Sequence, residues 1–159
     1  MNMPSRYPVY FASLVGITAL IIAYISQYGF GLNPCELCWW QRYPYMIMVG
    51  VLPITALRSL GNNRAALSLV ALLFAVGAAI AGFHAGVEQK WWEGLATCSG
   101  VADLSGDVEA ALNAIMNAPI IKCDEIAWSL FGISMAGFNF ILASIMTLFC
   151  VIKMGKAEY

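Results

Sequence analysis

Four long apolar stretches, about 9–30, 43–60, 65–87 and 127–152, are separated by shorter polar ones along the chain. A bilayer core roughly 30 Å thick takes about 20 helical residues to cross, so each stretch reads as a transmembrane helix. The first carries no charge at all. Its apolar run exceeds the core of a signal peptide and no Ala-x-Ala site follows it before the cysteines, so it is expected to stay as a span. The second holds Pro44 and Pro53. It is expected to start near Pro44 or to bend at Pro53, where a backbone donor is missing. The pattern predicts an all-α integral membrane protein: a bundle of four transmembrane helices, with a long loop (about 88–126) between the third and fourth and a short one (about 31–42) between the first and second. Residues 1–159 then form a single membrane domain, with no linker or repeat to divide it.

Composition supports the same class. At 61% hydrophobic, 11% charged and a mean hydropathy of +0.76, the chain has too little polar surface for a soluble globule. A formal net charge of −1 speaks against nucleic acid as a partner and leaves membrane lipid as the surroundings. The few charges also orient the helices. Arg6, Arg58, Arg64, Lys153 and Lys156 fall at the termini and in the short second-to-third connection. Arg42, Lys90 and Lys122 fall in the other two loops, with eight of the nine acids. By the positive-inside rule both termini are cytoplasmic. Cys35, Cys38, Cys98 and Cys123 then lie outside, where disulfides persist. Cys150 lies near the inner end of the fourth helix and is expected to pack as a small apolar residue.

Cys35-Glu36-Leu37-Cys38 stands at the mouth of the second helix. Asn33-Pro34-Cys35-Glu36 reads as a helix start, with Asn33 as N-cap and Pro34 at the first helical position. Cys35 would lie in the first turn, where free amides and the helix dipole favour a thiolate. Arg42 follows Cys38 by four and shares its face if the helix continues. Its guanidinium can stabilise a Cys38 thiolate or hold a carbonyl of a neutral ligand; as a structural group it would be an interfacial anchor beside Trp39 and Trp40. Haem attachment fits less well, because Trp39 stands where a histidine is needed. A four-cysteine zinc site would normally pair two CxxC units, whereas 24 residues separate Cys98 from Cys123.

The loop before the fourth helix is long enough to need a purpose. Val108, Leu112, Ile115 and Met116 recur at helical spacing, which predicts a short helix over 105–117 lying on the membrane surface. As a static crosslink, a Cys98–Cys123 pair would stabilise the folded loop by roughly 3–4 kcal/mol. As a redox pair, it could bring a cysteine to Cys35. Two outward disulfides in so small a membrane protein favour exchange. His84, the chain's only histidine, lies near the outer end of the third helix and is a candidate proton donor or ligand contact, with Glu88 one turn later.

Taken together, Pro34-Cys-x-x-Cys-x-x-x-Arg42, then His84 ahead of Cys98, then Cys123 and a fourth apolar helix with Trp128, Leu130 and Gly132, resemble the disulfide-bond formation protein B (DsbB) family over nearly the whole chain. The resemblance implies a four-helix bundle of the bacterial inner membrane. It would reoxidise a periplasmic thioredoxin-fold thiol oxidase of the DsbA kind and pass electrons to ubiquinone or menaquinone, in support of protein disulfide formation. It also implies roles. The Cys98–Cys123 disulfide would be attacked at Cys98, Cys123 would pair with Cys35, and Cys38 would be freed as a thiolate against the quinone, which Arg42 and His84 would hold. Other readings are an oxidase of the DsbI-like branch serving one substrate, a vitamin K epoxide reductase-like quinone reductase, and a non-catalytic membrane scaffold with structural disulfides or zinc.

Overall fold

The computed structural model describes residues 7–57, 63–95 and 122–156, with backbone alone over 51–57 and at 63 and 156. Four long helices make up most of it: α1 (Tyr7–Phe30), α2 (Glu36–Leu57), α3 (Asn63–Glu88) and α4 (Met135–Lys156). Three of them, α1, α3 and α4, are long and apolar enough to cross a membrane. α2 is not in that set: Glu36, Gln41, Arg42 and three tyrosine or proline positions at 43–45 make its first turns the most polar of the four.

α3 packs against each of the other three helices, most extensively against α4. The main core joins Val9, Ala12 and Leu20 of α1, Tyr45 and Met48 of α2, Phe74 and its neighbours on α3, and Ala143 and Met146 of α4. Small residues at these crossings let backbones approach, which matters where lipid removes the hydrophobic drive between helices. Cys150 sits in the same core as a buried free thiol, as expected. Outward faces carry exposed Leu14, Ile21, Ile25, Leu72, Val76, Ile145 and Leu148. An apolar band of that size suits lipid. Trp39, Trp40, Trp91, Trp92 and Trp128, all the tryptophans of the chain, belong to segments at the end where Cys35 lies. That is the placement of an interfacial belt.

Two boundaries differ from expectation. α2 starts well before Pro44 and is continuous through Pro53; spans tolerate proline where neighbouring helices shield the freed carbonyl. The stretch expected as the start of the fourth helix instead forms a two-residue-turn hairpin, Ser129–Leu130 against Ile133–Ser134. Phe131 (φ 52°) and Gly132 (φ 79°) supply the positive φ that such a turn requires. Ser134 then caps α4, its Oγ accepting the Gly137 N–H at 3.1 Å. The loop helix expected over 105–117 and Cys98 lie outside the described residues.

Beyond α3 the chain turns back, and Trp92 lies on that helix. Its Nε1–H donates to the Phe83 carbonyl (3.0 Å) and its ring stacks on Phe83 with centroids 5.9 Å apart. Only glycine fits beneath it, since a Cβ at Gly86 would lie 2.0 Å from the indole. Gly86→Ala should therefore eject Trp92 and destabilise the fold by roughly 1–3 kcal/mol. Tryptophan emission should shift toward that of a solvated indole; an unchanged spectrum and melting temperature would refute this packing.

Candidate functional site

The site is built at the mouth of α2. Cys35, not Asn33, is the N-cap: its carbonyl accepts the Trp39 N–H (3.1 Å) and its sulfur accepts the Cys38 N–H (3.3 Å). A sulfur makes an effective cap only when it is electron-rich, so the helix start and the chemistry are one feature. Pro34, with no N–H to offer, falls just outside the helix. The Cys38 sulfur lies 2.8 Å from that of Cys35, and both are free thiols. A hydrogen bond from the Cys38 S–H, with His84 on the other side, holds the Cys35 thiol down at about 5 against the opposing effect of burial.

His84 reaches the pair from α3, with Nε2 3.6 Å from the Cys35 sulfur and 3.9 Å from Glu88 Oε1. It is 3% exposed. The backbone of Cys123 also interacts with its ring. Glu88 in turn accepts the Ser134 hydroxyl, which ties the end of α3 to the cap of α4. Cys123 is disulfide-bonded and buried, and it packs with Cys35, Leu37 and Val87 in a small cluster apart from the main core, bordered by Cys38 and Leu95. The structure thus brings together Cys35, Cys38, His84 and Cys123 of the residues expected from the sequence.

Arg42 is 7% exposed and turned toward α1. It donates to Gln27 Oε1 (2.6 Å) and the Ala23 carbonyl (3.3 Å), between the rings of Trp39 (4.9 Å) and Tyr24 (5.1 Å). Snorkelling to the interface, the bland alternative, does not describe so enclosed a group. A cavity of about 280 Å³ runs from this point, lined by Leu20 and Ala23 of α1, Cys38 and Arg42 of α2, His84 and Phe138.

Sequence reasoning missed Gln41, Asn139 and Tyr45. Gln41 Nε2 lies 2.7 Å from His84 Nδ1, Asn139 Nδ2 donates to Gln41 Oε1 (2.7 Å), and the Tyr45 hydroxyl donates to Asn139 Oδ1 (2.5 Å). The signal was present, since a side-chain amide inside an apolar span is costly without a partner. Among the described residues no buried side-chain polar atom lacks one.

Cys35, Cys38 and His84 also place their ligand atoms within 4.8 Å of one another. Two thiolates sharing tetrahedral zinc at about 2.3 Å each would stand about 3.8 Å apart. The sulfurs here are closer than that and suit a shared proton or a disulfide.

The family model for "Disulfide bond formation protein DsbB" matches residues 5–153. The chain belongs to the DsbB family. It is similar to a disulfide bond formation protein B of Marinobacter nauticus, 27% identical over 91% of this chain and 88% of that one. It is likewise similar to a disulfide bond formation protein B 2 of Pseudomonas syringae pv. syringae, 29% identical over 82% of this chain and 77% of the relative. An uncharacterized protein of Rickettsia prowazekii is 28% identical over 85% and 79%. No solved structure matches. DsbB membership and three membrane-length apolar helices make this a multi-pass membrane protein, and the family implies disulfide-forming oxidoreductase chemistry.

The ionised sulfur has a direct readout. In the reduced protein, alkylation of Cys35 should follow a thiolate that persists as pH falls from 9 to near 5. Because the folded value lies below that of a free thiol, this group stabilises the reduced fold at alkaline pH and ceases to as pH falls through about 5. A reactivity midpoint at the ordinary thiol value of 9.0 would refute the shared-proton arrangement.

Proposed function

We propose that this protein is a thiol:quinone oxidoreductase of the bacterial inner membrane that reoxidises a periplasmic thioredoxin-fold thiol oxidase of the DsbA kind and delivers the electrons to ubiquinone or menaquinone. All four helices then span the membrane with both termini cytoplasmic, and the tryptophan-rich end faces the periplasm. The observation that carries the reading is the burial of disulfide-bonded Cys123 in one cluster with the free Cys35, beside a cavity that Cys38 and Arg42 line.

The chemistry follows from thiol–disulfide exchange. The partner's thiolate attacks the disulfide of Cys123 at Cys98, and its second thiol resolves the mixed disulfide. The partner leaves oxidised, and the loop keeps the electron pair as thiols. Cys123 next attacks Cys35 of an oxidised Cys35–Cys38 pair, breaking that bond and leaving Cys38 with the electrons. Pairing with Cys98 then releases Cys35. Stabilising the reduced CxxC through the Cys35 thiolate makes its disulfide the better oxidant, which drives exchange in this direction. Arg42 acts electrostatically on Cys38, and the cavity's apolar wall excludes water from that sulfur.

The cavity fits a flat, neutral ring, apolar along most of its lining with Arg42, Gln41 and His84 grouped at one side. When bound there, quinone supplies a two-electron acceptor. Arg42 would hold a carbonyl oxygen and His84 would contact the quinone beside it. The test is quinone reduction by a reduced thioredoxin-fold oxidase, followed across a quinone titration. Arg42→Met removes a charge-assisted hydrogen bond worth roughly 1.5–3 kcal/mol, so apparent quinone affinity should fall about 10–150-fold. Lysine should rescue only in part, because it lacks the planar fork. Wild-type protein that reduces no quinone with a dithiol donor would overturn the function; unchanged kinetics in Arg42→Met would move the quinone site away from Arg42.

A further inference from the structure

Three hydrogen-bonding side chains leading to His84 have a direction. We propose that Tyr45, Asn139 and Gln41 form a one-way hydrogen-bond chain that fixes His84 as its Nε2–H tautomer, so that His84 donates to the Cys35 sulfur and does not act as a base toward it.

The direction is set at Leu37. The end of Gln41 that faces His84 Nδ1 also lies 3.4 Å from the Leu37 carbonyl, which can only accept. That end is therefore the amide NH₂, and Nδ1 accepts from it and carries no proton. The other end of Gln41, its oxygen, receives Asn139 Nδ2–H, and Asn139 Oδ1 receives the Tyr45 hydroxyl. Every donor thus points toward His84. With Nδ1 bare, neutral His84 carries its proton on Nε2, the atom that faces Cys35 and Glu88. Protonating Nδ1 as well would set an N–H against the Gln41 NH₂. Turning Gln41 to avoid this would forfeit its bonds to Leu37 and Asn139 together. The amides hold the ring in the way that hydrogen-bond partners orient a metal-ligating histidine.

The groups that face the His84–Cys35 pair come from each packed element. Cys38 stands on α2, Glu88 on α3, and the backbone and disulfide of Cys123 on the segment ahead of the hairpin; Arg42, Lys122 and Glu125 line the shared cavity, α1 adds the neutral Gln27 beside Arg42 and α4 the neutral Asn139. Gln41, Asn139 and Tyr45 are positioning residues in this role: they border the cavity, and they act on Cys35 only through His84. The inference rests on Cys35 being an exchanging sulfur, as proposed above.

Because His84 is the chain's only histidine, ¹⁵N-histidine labelling reports it alone. In the reduced, bilayer-embedded protein at neutral pH, Nδ1 should resonate as a bare nitrogen and Nε2 as a protonated one. Asn139→Asp places an acceptor where Asn139 Nδ2 was, so Gln41 should turn its NH₂ to it and its oxygen to His84. The Nδ1 signal should then shift to the protonated position. Gln41→Glu should give the same shift by a second route and serves if Asn139→Asp does not fold. A protonated Nδ1 in the wild type, or a bare Nδ1 in a folded variant of either kind, overturns the chain. The same wild-type sample is assayed for dithiol-driven quinone reduction. Failure there with the expected spectrum rejects the oxidase reading alone, whereas turnover with the wrong tautomer rejects only the chain.

Discussion

Burying a thiolate at the end of an apolar bundle is costly unless donors surround it. The Cys35 sulfur meets that constraint with the Cys38 backbone N–H, the Cys38 S–H and the ring of His84. The first of these also starts α2. Helix initiation, thiol ionisation and the placement of Cys38 against the cavity are therefore one arrangement. Alanine at position 35 would remove a cap along with a reactive group.

The remaining polar groups of the bundle stand in two sets around this sulfur. One runs through Gln41, Asn139 and Tyr45 and crosses from α3 to α2 to α4. The other runs through Glu88 and Ser134 and fixes the hairpin and the start of α4 to the end of α3. In a lipid setting such contacts do what burial of apolar area does in water, because tails compete equally for apolar side chains. Arg42 is handled separately, by α1, through Gln27, Ala23 and two aromatic faces. That leaves its charge near Cys38 without an acidic partner among the described residues to neutralise it.

The apolar runs were legible because membrane thickness sets a length that residue periodicity alone does not. The cysteines, Arg42 and His84 were legible because such residues are rare in or beside a span. The hairpin before α4 was not, since Trp128–Ser134 is apolar enough to merge with the run that follows; only the turn at Phe131–Gly132 betrays it. The cap was misplaced by two residues because neutral cysteine is a poor cap, and its ionisation depends first on the Cys38 S–H and then on His84, 49 residues away. Gln41 and Asn139 meet across 98 residues, a pairing that neither local sequence reveals.

The central claim is that Cys35 and Cys123 exchange directly. It is tested by replacing both Cys38 and Cys98 with serine, which leaves Cys35 and Cys123 as the only pair at this end of the bundle. Under mild oxidation in bilayers, peptide mapping should find a Cys35–Cys123 disulfide in most molecules. Two thiols that both remain open to maleimide, in protein that is folded and inserted, would contradict the account.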